Sequence, residues 1–269
     1  MKHLSEQLLI RPGARIKLSD CDPANTHGVE KAAGSRQLQK NLDRLSVLQY
    51  LLYAEGKRSL LVVLQGIDAG GKDGTIRHVM SGLNPQGVRV TPFKVPEGAE
   101  KRHDYLWRVH QALPEFGEIG IFNRSHYEDV LVVRVHALVP KAVWSKRYNQ
   151  INEFEHMLTG NGVRIVKFLL YIDKDEQARR FRERIDDKTK NWKFSPADLK
   201  EREYWDQYME AYQDMLHRCS TACAPWYVIP ANRKWFRNLA VSQILCEELE
   251  AMKLRYPTPV AGLSSIKFE

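Results

Sequence analysis

The chain has 269 residues, 43% of them hydrophobic and 28% charged, with a formal net charge of +8. That length and mix suit one large folded domain and exclude a disordered or fibrous chain. No apolar run is long enough for a bilayer span, and the start Met1-Lys-His-Leu-Ser-Glu-Gln lacks the apolar block of a secretory signal, so the expectation is a cytoplasmic protein with no membrane partner.

Residues 1 to 34 carry Pro12, Gly13, Pro23, Gly28 and Gly34 without a sustained period, which predicts an extended arm wrapped on the core. From residue 35 to 55, Leu38, Leu42, Leu45, Leu48 and Leu52 recur at three and four residues, the spacing of an amphipathic helix ended by Gly56. An apolar strand over 59–65 then runs into Gly66-Ile-Asp68-Ala69-Gly70-Gly71-Lys72-Asp73-Gly74-Thr75. Glycines let successive N–H groups turn inward, a following helix adds positive potential, and Lys72 adds a full charge, so this segment predicts a phosphate cradle. Its spacing satisfies the P-loop pattern except that Asp73 stands where a magnesium-binding Ser or Thr belongs.

Further strands are predicted over 87–95, 117–123, 163–172 and 226–229, with a helix over 99–113. Asp173 before Glu176, and Ser195-Pro196-Ala-Asp198, read as helix starts. Strands alternating with helices imply an α/β fold with a parallel central sheet covered on both faces, as a single domain over 35–269 with a helical excursion near 174–220. The four cysteines, Cys21, Cys219, Cys223 and Cys246, are too irregularly spaced for a disulfide framework or zinc module and read as thiols.

The strand over 117–123 empties into Asn123-Arg124-Ser125-His126-Tyr127-Glu128-Asp129. Many P-loop enzymes end this strand in a magnesium-organising aspartate; here it is Asn123. Asp68, Asp73, Glu128 and Asp129 all lie in loops able to face the cradle, and two or three of them are expected near magnesium. Arg124 is placed to hold a phosphate with its planar fork, whereas a lone histidine at a helix start, His126, reads as structural. Between 179 and 194 about half the residues are basic; Arg180 and Arg184 share a helix face, and the run has the composition of a lid closing over phosphates.

The Asp-Ala-Gly-Gly-Lys-Asp-Gly-Thr loop, Phe122-Asn-Arg-Ser-His-Tyr-Glu-Asp-Val-Leu, Asn191-Trp-Lys-Phe-Ser and Ala224-Pro-Trp-Tyr-Val-Ile-Pro-Ala-Asn are collinear and together resemble the family 2 polyphosphate kinases from about residue 35 to about 245. The resemblance implies a thymidylate-kinase-like, three-layer P-loop kinase fold with a helical lid, and transfer of phosphate between inorganic polyphosphate and nucleotides with magnesium. It implies catalytic roles for Asp68, Lys72, Arg124, Arg180 and Arg184. Phosphate or nucleotide would be bound by Gly66, Ala69, Gly70, Gly71, Asp73, Gly74, Thr75, Asn123, Glu128, Lys188, Lys190 and Lys193, and metal by Asp68 and Asp129. Glu128-Asp129 replaces the commoner Asn-Arg pair, the pattern of a subgroup that accepts both AMP and ADP, giving ADP and ATP. A homo-oligomer, dimer or tetramer, is also implied. Two rival readings stand beside this one: an ATP-dependent nucleotide kinase of the same fold, and a basic nucleic-acid-binding P-loop module, although no named nucleic-acid recognition motif occurs.

Overall fold

The computed structural model describes residues 4–263 and 266. Residues 1–3 of the expected arm and 264–265 and 267–269 of the expected domain lie outside the described residues. The strands are β1 (Leu9–Ile10), β2 (Ser59–Gln65), β3 (Val88–Pro92), β4 (Ile119–Asn123), β5 (Val163–Tyr171) and β6 (Trp226–Pro230). They form one sheet in the order β1-β6-β5-β2-β4-β3, parallel throughout except for β1, which pairs antiparallel to β6. Every residue of β2 and β6 is buried, as expected of parallel strands covered on both faces.

The helices are α1 (Leu4–Leu8), α2 (Lys31–Glu55), α3 (Lys72–Val79), α4 (Trp107–Gln111), α5 (Val132–Val135), α6 (Lys141–Gly160), α7 (Lys174–Asp186), α8 (Pro196–Glu201), α9 (Trp205–Cys219) and α10 (Lys234–Ala251). Helix α2 begins four residues before the leucine spacing suggests and stops at Gly56, whose φ of +61° suits a glycine and whose N–H closes the last turn on Leu52 O. It lies along α10, tied by Asn41 Nδ2 donating to Ser242 Oγ at 3.0 Å. The N-terminal residues are not uniformly extended: they contain α1 and β1, and Leu4, Leu8, Ile10 and Leu18 are buried in the core.

The helix expected over 99–113 is broken into a 3-10 turn at Gly98–Arg102 and the short α4. The Asp104 carboxylate accepts from Leu106 N at 2.9 Å, a local bond that competes with helix continuation. The helix starts do follow the sequence. Asp173 accepts from Glu176 N at 2.7 Å to cap α7, and Ser195 and Asp198 exchange both bonds of a capping box at α8; each such cap contributes ~1 kcal/mol.

After β2 the chain fills β3 and then β4 on one side and crosses to β5 on the other, so β2 is a topological switch point. Open α/β sheets bind ligands in the crevice outside the carboxyl ends of strands at such a point. Leu64 of β2 is in register with Asn123 of β4, which brings the glycine-rich loop and the Asn123–Asp129 loop to one end of the sheet. No helix among the described residues is long and apolar enough to cross a membrane.

Candidate active site

The loop after β2 turns at Gly66, where a Cβ would lie 2.7 Å from Leu170 O, and enters α3 through Gly71 with φ +105°. Ala69 and Arg124 also hold left-handed φ values, +61° and +63°, which non-glycine residues adopt only where the surroundings enforce them. Lys72 is the first residue of α3 and is buried. Its Nζ donates to Gly66 O at 2.5 Å and Ile67 O at 3.4 Å, so the ammonium lies across its own loop. Burial, and then the charge of Arg124, lower its pKa to about 8, against the opposing pull of Asp68, Glu128 and Asp73.

The two departures from the usual P-loop pattern answer each other. Asn123 Nδ2 donates to Asp73 Oδ1 at 2.8 Å, so a carboxylate from the first turn of α3 lies beside the end of β4. Arg124 donates from Nη2 to Asp68 Oδ1 at 2.7 Å and from Nη1 toward Glu128 Oε2 at 3.5 Å. Burial opposes its charge, but Glu128 and Asp68 hold the guanidinium protonated above its ordinary range.

Two cavities meet at Asp68, Arg124 and Asp198. The first is bounded by Gly66, Glu128, the lid residues Ala197, Asp198 and Glu201, and Tyr208 and Tyr212 of α9. Across Asp68, the second runs along Ala69–Gly74, Asn123, Phe93 and Lys94 to Arg184, Trp192 and Lys193 of the lid. Lys193 Nζ reaches over to Asp73 Oδ2 at 3.6 Å, and Arg184 Nη1 donates to Lys193 O at 3.1 Å. None of residues 182–204 is buried. Helix α9, inside the expected excursion of 174–220, instead buries Trp205, Tyr208, Ala211, Tyr212, Met215, Leu216 and Cys219 against the core.

Several residues expected at the site lie elsewhere. Arg180 is buried behind the loop, where Nη1 donates to the carbonyls of Ala69 and Gly70 at 2.8 and 3.1 Å; its side chain lines neither cavity. Asp129 is not brought to Asp68: its Oδ1 accepts from Arg147 Nη1 at 2.6 Å, and burial, only partly offset by Arg147, pushes its pKa up to about 6. Thr75 is buried inside α3, its Oγ1 donating to Gly71 O at 3.1 Å. Lys188 and Lys190 are exposed, and Lys190 pairs with Asp187 at 2.5 Å. His126 is structural: its Nε2 lies 3.2 Å from Glu155 Oε1, within a buried network where Lys167 Nζ donates to Glu155 Oε2 at 2.5 Å, Tyr127 Oη at 2.7 Å and Cys219 O at 2.8 Å.

The carboxylates facing the cavities are Asp68, Asp73, Glu128, Asp198 and Glu201. Among the described residues no group of three His, Cys, Asp or Glu could enclose a metal ion. That donor set fits a hard cation that keeps waters and completes its shell with substrate phosphates.

The sequence profile described as Polyphosphate kinase 2 matches residues 28–257. The AMP/ADP-polyphosphate phosphotransferase of Meiothermus ruber is 53% identical over 97% of this chain and 98% of its own. The ADP-polyphosphate phosphotransferase of Rhodopseudomonas palustris is 51% identical over 82% of this chain and 80% of its own. Among solved structures, the crystal structure of Polyphosphate Kinase 2 from Arthrobacter aurescens TC1 superposes with a TM-score of 0.93 at 43% identity, covering 97% of this chain and 94% of that one.

Proposed function

Because the chain belongs to the polyphosphate kinase 2 family and has its P-loop kinase fold, we propose that it transfers a terminal phosphoryl group from inorganic polyphosphate to AMP and to ADP, with magnesium, and does so reversibly. The observation that carries this reading is the cleft in which the cavity along the P-loop with Lys72 and the cavity beside Glu128 share Asp68, Arg124 and Asp198. One cavity serves a phosphate chain and the other an acceptor, with the transfer at their junction.

In this mechanism the backbone N–H groups at the start of α3 take the donor phosphate, and Lys72 exchanges the Gly66 carbonyl for a phosphate oxygen. Arg124, already charged and oriented by Asp68, neutralises the group in flight, and Arg184 and Lys193 close over it from the lid. The nucleophile is a nucleotide phosphate oxygen, already largely ionised at neutral pH, so alignment and charge neutralisation do the work that a strong base does elsewhere. Asp68, with Glu128 beside it, is the pair that would hold magnesium, whose chemistry is to neutralise phosphate charge. Glu128 makes the acceptor side less positive than an Asn-Arg pair would, which favours an acceptor carrying one phosphate as well as one carrying two. The protein acts in the cytoplasm as a homo-oligomer.

The test is purified protein with AMP, magnesium and polyphosphate as sole phosphoryl donor. ADP should form first and ATP after it. Turnover with ATP as donor but none with polyphosphate would replace this reading by an ATP-dependent nucleotide kinase, and tight salt-sensitive DNA binding without turnover would replace it by a nucleic-acid-binding module.

A further inference from the structure

Behind the P-loop, on the side away from the cleft, two guanidinium groups are buried against Gly71. Arg180 of α7 satisfies every donor it has: Nε on Glu176 Oε1 at 2.6 Å, Nη1 on the carbonyls of Ala69 and Gly70, and Nη2 on those of Ala231 and Asn232. Arg237, near the start of α10 and 3% exposed, is unlike it. Its Nε and Nη2 both donate to one oxygen, Asn238 Oδ1, at 3.1 and 2.8 Å, and no carboxylate pairs with it among the described residues.

Arg237 is pressed onto the loop. A Cβ on Gly71 would lie 2.0 Å from Arg237 Nη1 and 3.4 Å from Arg180 Nη1, and one on Gly74 would lie 3.2 Å from Arg237 Nη2. Gly71 and Gly74 themselves line the cleft, and Arg237 does not, so a single thickness of backbone separates the guanidinium from the phosphate side. Burial, reinforced by Arg180, lowers the Arg237 pKa to about 10, which still leaves it charged at neutral pH.

A buried cation without a counter-charge is expensive to keep. An arginine retained there, beside a second arginine that repels it, calls for an anion that arrives later. The phosphate chain on the other side of Gly71 is that anion.

We propose that Arg237 is a positioning residue for the donor phosphates: it packs the Gly71–Gly74 backbone from behind and supplies a cation that is balanced only when a phosphate chain fills the loop. This rests on the reading of the P-loop as the polyphosphate site. A residue of this kind weakens the empty protein and strengthens the loaded one, the reverse of an ordinary core side chain.

The experiment compares the unsubstituted protein with Arg237→Met and Arg237→Lys by thermal unfolding with and without tripolyphosphate, and by steady-state kinetics. Arg237→Met should unfold without ligand at the same temperature or higher, and its stabilisation by tripolyphosphate should fall to less than about half of the unsubstituted shift. Its KM for polyphosphate should rise about tenfold or more while its KM for AMP stays within about threefold, and Arg237→Lys should recover most of the loss. An Arg237→Met protein that fails to fold, or that melts lower when empty yet gains full stabilisation from tripolyphosphate, overturns the proposal and makes Arg237 a core residue. The unsubstituted protein separates the two readings. If it is neither stabilised by tripolyphosphate nor active with polyphosphate, the functional reading falls and takes this one with it. If it is both, an equally stabilised Arg237→Met overturns only the role of Arg237.

Discussion

The two walls of the cleft are built on opposite plans. On the P-loop wall, backbone carbonyls are gripped from behind by Arg180, and Gln177 Nε2 donates to Asp68 O at 3.0 Å, so the loop is fixed by buried side chains before any substrate arrives. On the lid wall, residues 182–204 have no buried member and are held by ion pairs such as Lys193 to Asp73 and Arg184 to Asp198, each at 3.6 Å. An exposed pair such as Lys193 to Asp73 contributes between nothing and ~1 kcal/mol. A rigid wall orients the group being transferred; a weakly held wall can open to admit it. Arg180 and Arg184 stand one helical turn apart on α7, and this difference of surroundings gives the same residue type two unrelated jobs.

The largest expected effect tests the rigid wall. Lys72→Ala should lower kcat by about a thousandfold or more, ~4 kcal/mol of transition-state stabilisation, without lowering the unfolding temperature by more than a few degrees. In the unsubstituted enzyme the same ammonium should shape the alkaline limb. Because its free-enzyme pKa lies near 8, kcat/KM for polyphosphate should fall as pH rises through that value. Near-normal turnover by a folded Lys72→Ala protein would mean that the donor lies on the other wall.

Next in size is a change on the lid. Arg184→Ala should reduce kcat/KM by roughly tenfold and leave the unfolding temperature almost unmoved, since both the residue and its partner Asp198 are only partly buried and the pair is long at 3.6 Å. A melting drop as large as that of a core truncation would show that the lid is as firmly built as the loop.

The smallest effect separates two carboxylates that each pair with an arginine, Asp68 with Arg124 and Asp129 with Arg147. Asp68→Asn should lose activity that raised magnesium partly restores, whereas Asp129→Asn should stay within about threefold of normal and ignore magnesium. Asp129 instead carries a pH signature. Its folded pKa, near 6, lies above the usual carboxylate value, so between about pH 4 and 6 the folded state holds a proton that the unfolded chain has released, and stability falls as pH rises. Unfolding free energies at pH 4.5 and 6.5 should lose that slope in Asp129→Asn; a slope that persists would point to another group.

What the sequence made legible was what is local in it. Gly66 to Lys72, the Asn123-Arg124 junction and the caps at Asp173 and Ser195 are short-range grammar, and the backbone has few other ways to satisfy them. The spacing of Arg180 and Arg184 gave their shared helix face correctly, but not what that face meets: α7 lies against the loop at its start and runs out past it at its end. The pairing of Asp73 with Asn123 spans strands whose register only the sheet defines. Arg237 looked like any charged residue in a mixed stretch, and Lys167, though set in an apolar strand, has its partner Glu155 on a different element. One signal for Arg237 was present, in Gly71 and Gly74: two small residues in the first turn of a helix ask what packs too closely behind them for a Cβ.

The two-residue strand β1 has a practical consequence. The sheet ends at one edge in β3, whose last residue, Pro92, offers no N–H, and at the other in β1, which covers the hydrogen-bonding side of Trp226 and Tyr227. A chain clipped or shortened beyond Ile10 would uncover that side of β6 as a docking template for another strand. The damage would then show first as self-association of an otherwise competent catalyst, and preparations of this protein should be checked for intact N-termini before their aggregation is blamed on anything else.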